Sequence, residues 1–380
     1  MSTVPIQERF VPSRRSSSFR FIFCIAFAAV VGVAACGPAS SAAPGSSSAA
    51  SSSGASPSVA SSGGGSASSP SSSAAPTSLK VGLGYIPSVQ FAPFYRADQA
   101  GYYAAEGLAV TFQNQIDANL VPEVGQGTLD LGLDDGTSVI PAVSQGVTIR
   151  YVATIYGRFP SVVVTKASSG ITDADGLVGK KLGIPGKYGS SWIMLQALLA
   201  AKKHTVSDLT IVEFPDFAQS AALAQGAVDA ATGFVNNEPV QLERAGTKVN
   251  VLTIDSTTPL PGPGIIVGTK ALSDKKAAIA GFVRATVKAM NEIAADPTIG
   301  VDAAIKAVPD LAKDRPLQTA ILDATIAAWR PTSAAAGAAI SGKVDTAAWQ
   351  QTLTFMTTLG LVPNPVTVDG LVDTTVAPGS

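Results

Sequence analysis

Polar and aromatic side chains collect in four short segments, each between a predicted strand and a predicted helix. The segments begin at Tyr85, Asp134, Gly186 and Phe234. In an open α/β sheet such loops meet at the carboxyl ends of the strands, where helix N-termini direct free N–H groups toward bound ligands. We expect ligand contacts from Tyr85, Phe91, Asp135, Thr137, Tyr156, Tyr188, Ser190, Ser191, Trp192, Asn236, Asn237 and Glu238.

These residues also have structural interpretations. The hydroxyl and amide side chains are of the types that cap helices. The aromatic side chains can belong to a core, although the prolines and glycines beside most of them favour loops. Trp192 begins an apolar helical run, so packing explains it as well as stacking does. Asp134 and Asp135 can be solvated carboxylates of a turn.

Catalytic motifs find little support in the sequence. The single histidine, His204, follows two lysines at a polar helix end. The Gly-Leu-Gly at 82–84 begins a dinucleotide fingerprint, but Pro87 stands where the third glycine is needed, and no phosphate-binding Gly-Lys-Ser/Thr follows. Ser273 and Lys276 have the spacing of serine acyl-enzymes without the partner motifs. No cofactor is expected.

The N-terminus has the pattern of an export signal. Four arginines precede an uncharged run of 15 residues, Phe21–Ala35, which is too short to span a bilayer that needs about 20 helical residues. The run ends in Val-Ala-Ala-Cys and resembles a bacterial lipobox, so we expect cleavage before Cys36 and a lipid on its thiol. The alternatives are an ordinary cleavage with an incidental cysteine and, for the export route, a twin-arginine signal at Arg14–Arg15.

The segment 37–78 consists almost entirely of Ser, Ala, Gly and Pro. It predicts a flexible tether that spans about 35 Å, since it lacks the apolar surface to offset the entropy of ordering. A glycosylated stalk is the alternative. Removal of residues 1–35 leaves 22 basic and 26 acidic side chains, a net charge of -4. This charge gives no reason to expect nucleic acid or anionic lipid as a partner.

Residues 79–380 alternate short β-branched runs with helical segments, which indicates parallel-rich sheets covered by helices. Strands are predicted at 79–85, 109–113, 129–133, 149–155, 162–165, 181–184, 210–213, 230–234 and 265–269. Helices are predicted at 93–106, 275–295, 300–307, 317–329 and 347–359.

One pattern occurs twice. Gln126–Gly132 and Gln225–Ala231 both place a glycine helix stop before an aspartate and a new strand. The repeat favours two lobes built from related units, and a chance similarity of two turns is the alternative.

Four segments together resemble a known family. They are Gly84–Pro87, Phe91–Tyr95, Gly101–Leu108 and Gly179–Gly186. They look like the solute-binding lipoproteins of ABC importers, in the branch related to thiamine-pyrimidine synthases. Within that branch, Gly157 and the stretches Ser190–Gln196 and Thr232–Pro239 look most like the riboflavin-binding component of a bacterial importer.

The resemblance implies a type II periplasmic-binding-protein fold, two α/β lobes that close on a ligand. It implies chain crossings near Lys166 and Pro259, so that lobe 1 comprises 79–166 and the mostly helical 259–380, and lobe 2 comprises 167–258. It also implies ABC permease and ATPase subunits as partners, and we expect a monomer, lipid-anchored at the extracytoplasmic face of the cell membrane. The synthase relatives use a cysteine-rich stretch and histidines, which the mature chain lacks, so we expect no enzymatic activity.

Electrostatics narrows the class of ligand. A sulfonate or nitrate site needs an uncompensated Arg or Lys, whereas the predicted site holds Asp134, Asp135 and Glu238 against Lys187 and Arg158. A neutral ligand fits better, with aromatic residues stacking a flat ring and amides and carboxylates binding polar groups. Riboflavin has both parts. A formylaminopyrimidine-type precursor of thiamine, less so an alkanesulfonate, and an enzyme like the pyrimidine synthases are the alternatives.

Overall fold

The structure is a computed structural model that describes residues 75–114, 119–254, 258, 260–335 and 337–377. The predicted signal peptide, Cys36 and most of the predicted tether lie outside the described residues. The first strand starts at Thr77, so it includes the last two residues of the predicted tether, Thr77 and Ser78.

The described residues form alternating strands and helices as the sequence predicts, with one further strand, Val249–Leu252, that was not predicted. The strands are β1 Thr77–Gly82, β2 Leu108–Gln113, β3 Leu131–Asp134, β4 Ile149–Thr154, β5 Ser161–Lys166, β6 Lys181–Ile184, β7 Thr210–Glu213, β8 Ala230–Phe234, β9 Val249–Leu252 and β10 Gly264–Gly268. The helices are α1 Ala92–Gln99, α2 Tyr102–Ala105, α3 Leu120–Gln126, α4 Gly136–Ser144, α5 Gly189–Ala200, α6 Gln219–Gln225, α7 Glu238–Arg244, α8 Thr269–Asp274, α9 Lys276–Ala295, α10 Pro297–Ala307, α11 Arg315–Trp329, α12 Thr346–Thr358 and α13 Val368–Leu371.

The strands form two five-stranded sheets with the same internal order. The first sheet runs β2-β1-β3-β10-β4 and the second runs β7-β6-β8-β5-β9. In each sheet three strands pair in parallel, and one strand (β10 or β5) pairs antiparallel with both of its neighbours. As expected, both sheets are rich in parallel strands, since four of the five strands in each run in the same direction. The fifth strand, β10 or β5, enters directly after a chain crossing and is reversed, so both sheets are mixed.

The repeated sequence pattern corresponds to equivalent structure in the two lobes. Gly127 and Gly226 end α3 and α6 in the left-handed conformation, with φ of 79° and 78°. Asp130 then accepts a hydrogen bond from the backbone N–H of Lys80 at 2.9 Å, and Asp229 accepts one from that of Lys181 at 2.9 Å. Each aspartate thus ties the start of one parallel strand to its neighbour, and the prediction of related units is confirmed at the level of backbone and side-chain geometry.

The chain passes from the first sheet to the second between β4 and β5, at 155–160, and returns between β9 and β10. The first passage lies before the predicted crossing near Lys166. The whole of β5 pairs with β8 and β9 of the second sheet, so its residues belong to lobe 2. The strand lies in the sheet that follows the crossing because Phe159 and Val163 pack into the core of lobe 2.

The predicted helix 93–106 is also different in the structure. It is broken into α1 and α2 by Gly101, which has a φ of 71°. A left-handed residue cannot continue a right-handed helix, and glycine adopts it without a steric penalty. The break lets Tyr103 turn inward, where its ring stacks on Phe282 of α9 at 5.0 Å. The long helices α9, α10 and α11 cover this face of the first sheet and share its core. Within the described part of the chain, no helix is both long and apolar enough to cross a membrane.

The two glycine stops yield a paired prediction. Gly127→Ala and Gly226→Ala should each lower the free energy of unfolding by about 1–2 kcal/mol, because a residue that carries a Cβ is strained in the left-handed conformation. Steric contact adds nothing, since a Cβ at Gly127 meets no atom within 4 Å and one at Gly226 meets only Lys166 Nζ at 3.8 Å. Denaturant titration measures both losses. The matched Asn variants should lose less stability than the Ala variants. Unchanged stability in both Ala variants would contradict the left-handed conformation of the two glycines.

Candidate functional site

A cavity of about 900 Å³ lies between the two lobes. Its wall is formed by the loops that follow β1, β3, β6, β7 and β8, together with the first turns of α4, α5 and α7. Of the predicted site residues, those that line it are Tyr85, Phe91, Asp135, Thr137, Tyr156, Tyr188, Ser190, Ser191, Trp192, Asn237 and Glu238. The strand-to-helix junctions therefore meet at one place, and contact of each residue with a ligand stays a prediction.

Asn236 does not line this cavity. It is fully buried, and its Nδ2 donates to Gln90 Oε1 at 2.9 Å and to Thr325 Oγ1 at 2.8 Å. Asn236 belongs to lobe 2, whereas Gln90 and Thr325 belong to the part of the chain that packs on lobe 1. The residue therefore joins the lobes behind the site. Sequence reasoning placed it in the site because it belongs to the same strand-to-helix junction as Asn237, which does line the cavity.

The N-terminal ends of α4 and α5 approach each other from opposite lobes. Asp135 caps α4: its Oδ1 accepts the backbone N–H of Thr137 at 2.9 Å and the Thr137 hydroxyl. Ser190, at the start of α5, hydrogen-bonds the same carboxylate. Ser191 exchanges a hydrogen bond with Ser161 at 3.2 Å. Asp135 is thus a helix cap and not the solvated turn carboxylate that was one interpretation of it, and Ser190 and Ser191, for which capping was the alternative, bind other side chains.

Two adjacent carboxyl groups make this end of the cavity acidic. Burial, followed by the negative charge of Asp135, raises the pKa of Asp134 well above the usual aspartate value. Burial also raises the pKa of Asp135, opposed by its hydrogen bonds to Thr137 and Ser190. The folded protein therefore holds protons on this pair more tightly than the unfolded chain does.

A second polar cluster lies where α7 begins. Glu238 Oε2 accepts the backbone N–H of Phe234 at 2.6 Å, and its Oε1 accepts Asn237 Nδ2 at 3.0 Å. Gln241 holds Asn237 from behind, with its Nε2 donating to Asn237 Oδ1 at 2.7 Å. Burial, and then the nearby Glu238, raise the pKa of Tyr85 in the opposite lobe to about 12. Tyr85 is therefore a neutral phenol that faces an acidic group.

The aromatic side chains occupy different depths of the cavity. Tyr85 meets Phe217 of lobe 2 edge to face, with ring centroids 5.7 Å apart. Tyr188 is 50% exposed at the rim. Phe91 and Tyr156 are almost fully buried, and Trp192 packs partly against two apolar clusters. Phe91, Tyr156 and Trp192 therefore pack partly in the core, as the structural interpretation allowed. Tyr85 and Tyr188 expose more of their rings.

Sequence reasoning missed Phe217 and Gln219, which follow β7 and line the cavity. The junction after β7 was not among the four considered, although its Asp216 is of a type that caps helices and accepts the backbone N–H of Ala218 at 3.3 Å. One signal could have identified it: like the four junctions considered, it connects the carboxyl end of a strand to a helix. Phe217 has a φ of 60°, a conformation rare for an aromatic residue, which directs the loop toward Tyr85.

The charges along the wall favour neutral or cationic groups. Among the described lining residues, Asp134, Asp135 and Glu238 are acidic, and Lys187 is the basic one. Lys187 lies 3.8 Å from Glu213 and is half exposed. Arg158 is not part of the wall, and its Nε donates to the backbone oxygen of Arg330 at 3.2 Å. Its predicted place in the site is therefore wrong, because its guanidinium binds the chain after α11.

Two lobes of identical strand order around an interlobe cavity define the type II periplasmic-binding-protein fold, as the sequence predicted. The alkanesulfonate-binding protein SsuA from Xanthomonas axonopodis pv. citri, solved with MOPS bound, matches with a TM-score of 0.63 and 18% identity, covering 80% of this chain and all of that one. SsuA from Escherichia coli matches with a TM-score of 0.61 and 18% identity, covering 78% of this chain and 97% of that one.

The chain belongs to the family described as NMT1/THI5 like, whose model matches residues 88–299. It is 32% identical over 303 residues to the riboflavin-binding protein RibY of Chloroflexus aurantiacus, covering 79% of this chain and 86% of that protein. It is 26% identical over 174 residues to a 4-amino-5-hydroxymethyl-2-methylpyrimidine phosphate synthase of Legionella pneumophila, covering 46% of this chain and 54% of that protein. The predicted family resemblance is confirmed.

The acidic pair predicts a specific dependence of stability on pH. Because both pKa values are raised by folding, the unfolded chain loses its protons first, and the free energy of unfolding should fall as pH rises from about 4 toward 8. Asp134→Asn removes the carboxyl group whose pKa is raised by burial and by Asp135, so the stability of this variant should depend less on pH. Thermal melts from pH 4 to 8 measure both curves. The same dependence of stability on pH in the wild type and in Asp134→Asn would contradict the raised pKa of Asp134.

Proposed function

We propose that this protein is an extracytoplasmic solute-binding protein that captures riboflavin and delivers it to an ABC importer. The observation that carries the proposal is the cavity between the lobes, with aromatic rings and neutral hydrogen-bonding groups on its wall and no free cation among the described lining residues. The relative named as a riboflavin-binding protein supports the same ligand.

The dimensions and chemistry of the cavity support riboflavin over smaller ligands. A volume of about 900 Å³ lies toward the upper end of the range for small-molecule pockets, about 300–1,000 Å³. A flat tricyclic ring can contact Tyr85 and Phe217. The ribityl hydroxyls find acceptors in Asp134 and Asp135 and partners in the hydroxyls of the α4 and α5 ends. The cavity thus offers aromatic side chains to the ring of riboflavin and polar groups to its ribityl chain.

A formylaminopyrimidine-type precursor is the second candidate, because several relatives are named as pyrimidine phosphate synthases. Its single ring would leave much of the cavity unfilled. An alkanesulfonate is less favoured, since a sulfonate would face three carboxyl groups and one lysine, Lys187, that is paired with Glu213. The neighbours that bind sulfonates resemble this chain at 18% identity, which supports the shared fold alone.

We infer that the protein binds its ligand without transforming it. Support comes from the positions of the carboxylates: the Asp135 and Glu238 side chains are engaged with backbone N–H groups at the starts of α4 and α7. A synthase-like enzyme is the alternative. Ligand recovered chemically unchanged after prolonged incubation supports binding, and a product that accumulates with time in the purified protein supports the enzyme.

The direct test is the visible spectrum of ligand extracted from protein purified without refolding, followed by titration of ligand-free protein with riboflavin. A yellow, fluorescent extract and saturable quenching of riboflavin fluorescence are expected. Binding of the pyrimidine with no response to riboflavin would transfer the proposal to the second candidate.

Tyr85→Ala should weaken riboflavin binding by about 1–3 kcal/mol, up to about a hundredfold in dissociation constant, because stacking area is lost. Its fold should survive, since Tyr85 is only partly buried. Trp192→Ala should weaken binding and also lower the melting temperature, because Trp192 packs against two apolar clusters. Fluorescence quenching and thermal melts on the same samples measure both effects.

Tyr102→Ala serves as the matched control, because Tyr102 binds Glu292 at 2.9 Å on the outside of lobe 1 and does not line the cavity. Its riboflavin affinity should equal that of the wild type. Equal affinity in all three variants would remove Tyr85 and Trp192 from the site.

We further propose a lipid anchor at Cys36, with ABC permease and ATPase subunits as partners and a monomeric protein at the extracytoplasmic face of the membrane. Cys36→Ser should block lipid attachment and leave unprocessed precursor, because the thiol is the acceptor of the lipid. Metabolic labelling with palmitate and cell fractionation measure the result. Normally processed, membrane-bound Cys36→Ser protein would contradict the anchor.

A further inference from the structure

Equivalent positions of the two lobes carry different chemistry at the cavity wall. Leu120 and Gln219 are the first residues of α3 and α6, and each packs over the glycine of its neighbouring strand. A Cβ added at Gly82 would clash with Leu120 Cδ1, and one added at Gly183 would lie 3.0 Å from Gln219 Cβ. The two side chains therefore hold the same place in the repeated unit.

The next equivalent pair differs in the same way. Leu133 of β3 corresponds to Thr232 of β8, since each follows the two strand residues that pair with β1 or β6. Lobe 1 thus uses two leucines where lobe 2 uses an amide and a hydroxyl. Because the apolar pair builds an equivalent lobe, the fold itself does not require polar groups at these positions.

The orientation of the Gln219 amide follows from its one hydrogen bond. Its Nε2 donates to the backbone oxygen of Thr232 at 3.2 Å, and a carbonyl oxygen can only accept, so the other amide atom is the acceptor Oε1. Gln219 is 1% exposed and lines the cavity, yet Oε1 has no partner among the described residues. A buried acceptor without a donor is unfavourable, which points to a donor supplied from the cavity.

We propose that Gln219 Oε1 accepts a hydrogen bond from the ring N–H of the bound ligand. This inference rests on the proposed function. Phe217, two residues before Gln219, meets Tyr85, so the aromatic surface for a flat ring lies on the same segment of wall. The imide N–H of the riboflavin ring stands between two carbonyl oxygens. A neutral amide oxygen accepts from such a group with less repulsion than a carboxylate, so Gln219 determines which edge of the ring enters lobe 2.

Binding of riboflavin and of 3-methylriboflavin, which lacks this N–H, tests the inference on the unaltered protein. Riboflavin should bind about tenfold or more tightly than its methylated analogue. Gln219→Leu introduces the residue that lobe 1 uses at the equivalent position. This variant should bind riboflavin at least tenfold more weakly, discriminate less between the two flavins, and melt at the same or a higher temperature because it removes an unpaired acceptor.

Gln219→Met, of similar length, repeats the measurement if the leucine variant folds poorly. Equal affinity of the wild type for both flavins, or unchanged riboflavin affinity in a folded Gln219 variant, would overturn this inference and leave the proposed function intact. No riboflavin binding by the wild type would overturn both.

Discussion

The architecture depends on one constraint, the insertion of a reversed strand into the sheet of each lobe. β10 enters the first sheet between β3 and β4, and β5 enters the second between β8 and β9. Each of these strands follows a crossing between lobes, so the two sheets are linked twice and share the same order. As a consequence, the loops at the carboxyl ends of the parallel strands in both lobes meet at one cavity. Most of the polar groups of the site lie on those loops.

The two lobes meet this shared cavity with different chemistry. Lobe 1 contributes Asp134 and Asp135, whose pKa values rise because they are buried side by side. Lobe 2 contributes hydroxyls, amides and one carboxyl group, Glu238, held by backbone and side-chain donors. The lobes also touch directly, through the Tyr85–Phe217 ring pair and through Asn236 behind the site. A ligand that closes the lobes must therefore fit an acidic wall, a neutral wall and an aromatic contact at once.

Local patterns in the sequence predicted three strands of lobe 2 well, because β6, β7 and β8 are short runs with clear stops on both sides, whereas β9 was not predicted. The bounds predicted for these three strands are those of the structure. The glycine and aspartate of the repeated pattern were also informative, since each has a single conformational or hydrogen-bonding role. The antiparallel pairing of β5 and β10 was not predictable in this way, because a strand's direction depends on where the preceding crossing leads and not on its own residues.

The site residues also divide into those that the local sequence predicts and those whose roles depend on distant parts of the chain. Residues such as Asp135 and Asn237 lie directly at helix starts, so their types and positions predicted their place on the wall. Asn236 has the same local signature but turns inward, and its role depends on Gln90 and Thr325, which are distant in the chain. Gln219 lies outside the four junctions that the sequence analysis selected. Its meaning emerges only from comparison with Leu120 across the two lobes, which requires the three-dimensional equivalence.

The most direct measurement of the central claim is small-angle scattering of the purified protein without and with saturating riboflavin. If the ligand bridges the aromatic, acidic and neutral walls, the liganded particle should have a smaller radius of gyration, and the bound flavin should be recovered unchanged on denaturation. Fluorescence quenching in the same samples shows when the protein is saturated. Saturation by riboflavin with no change in scattering would contradict a clamp that closes on its ligand.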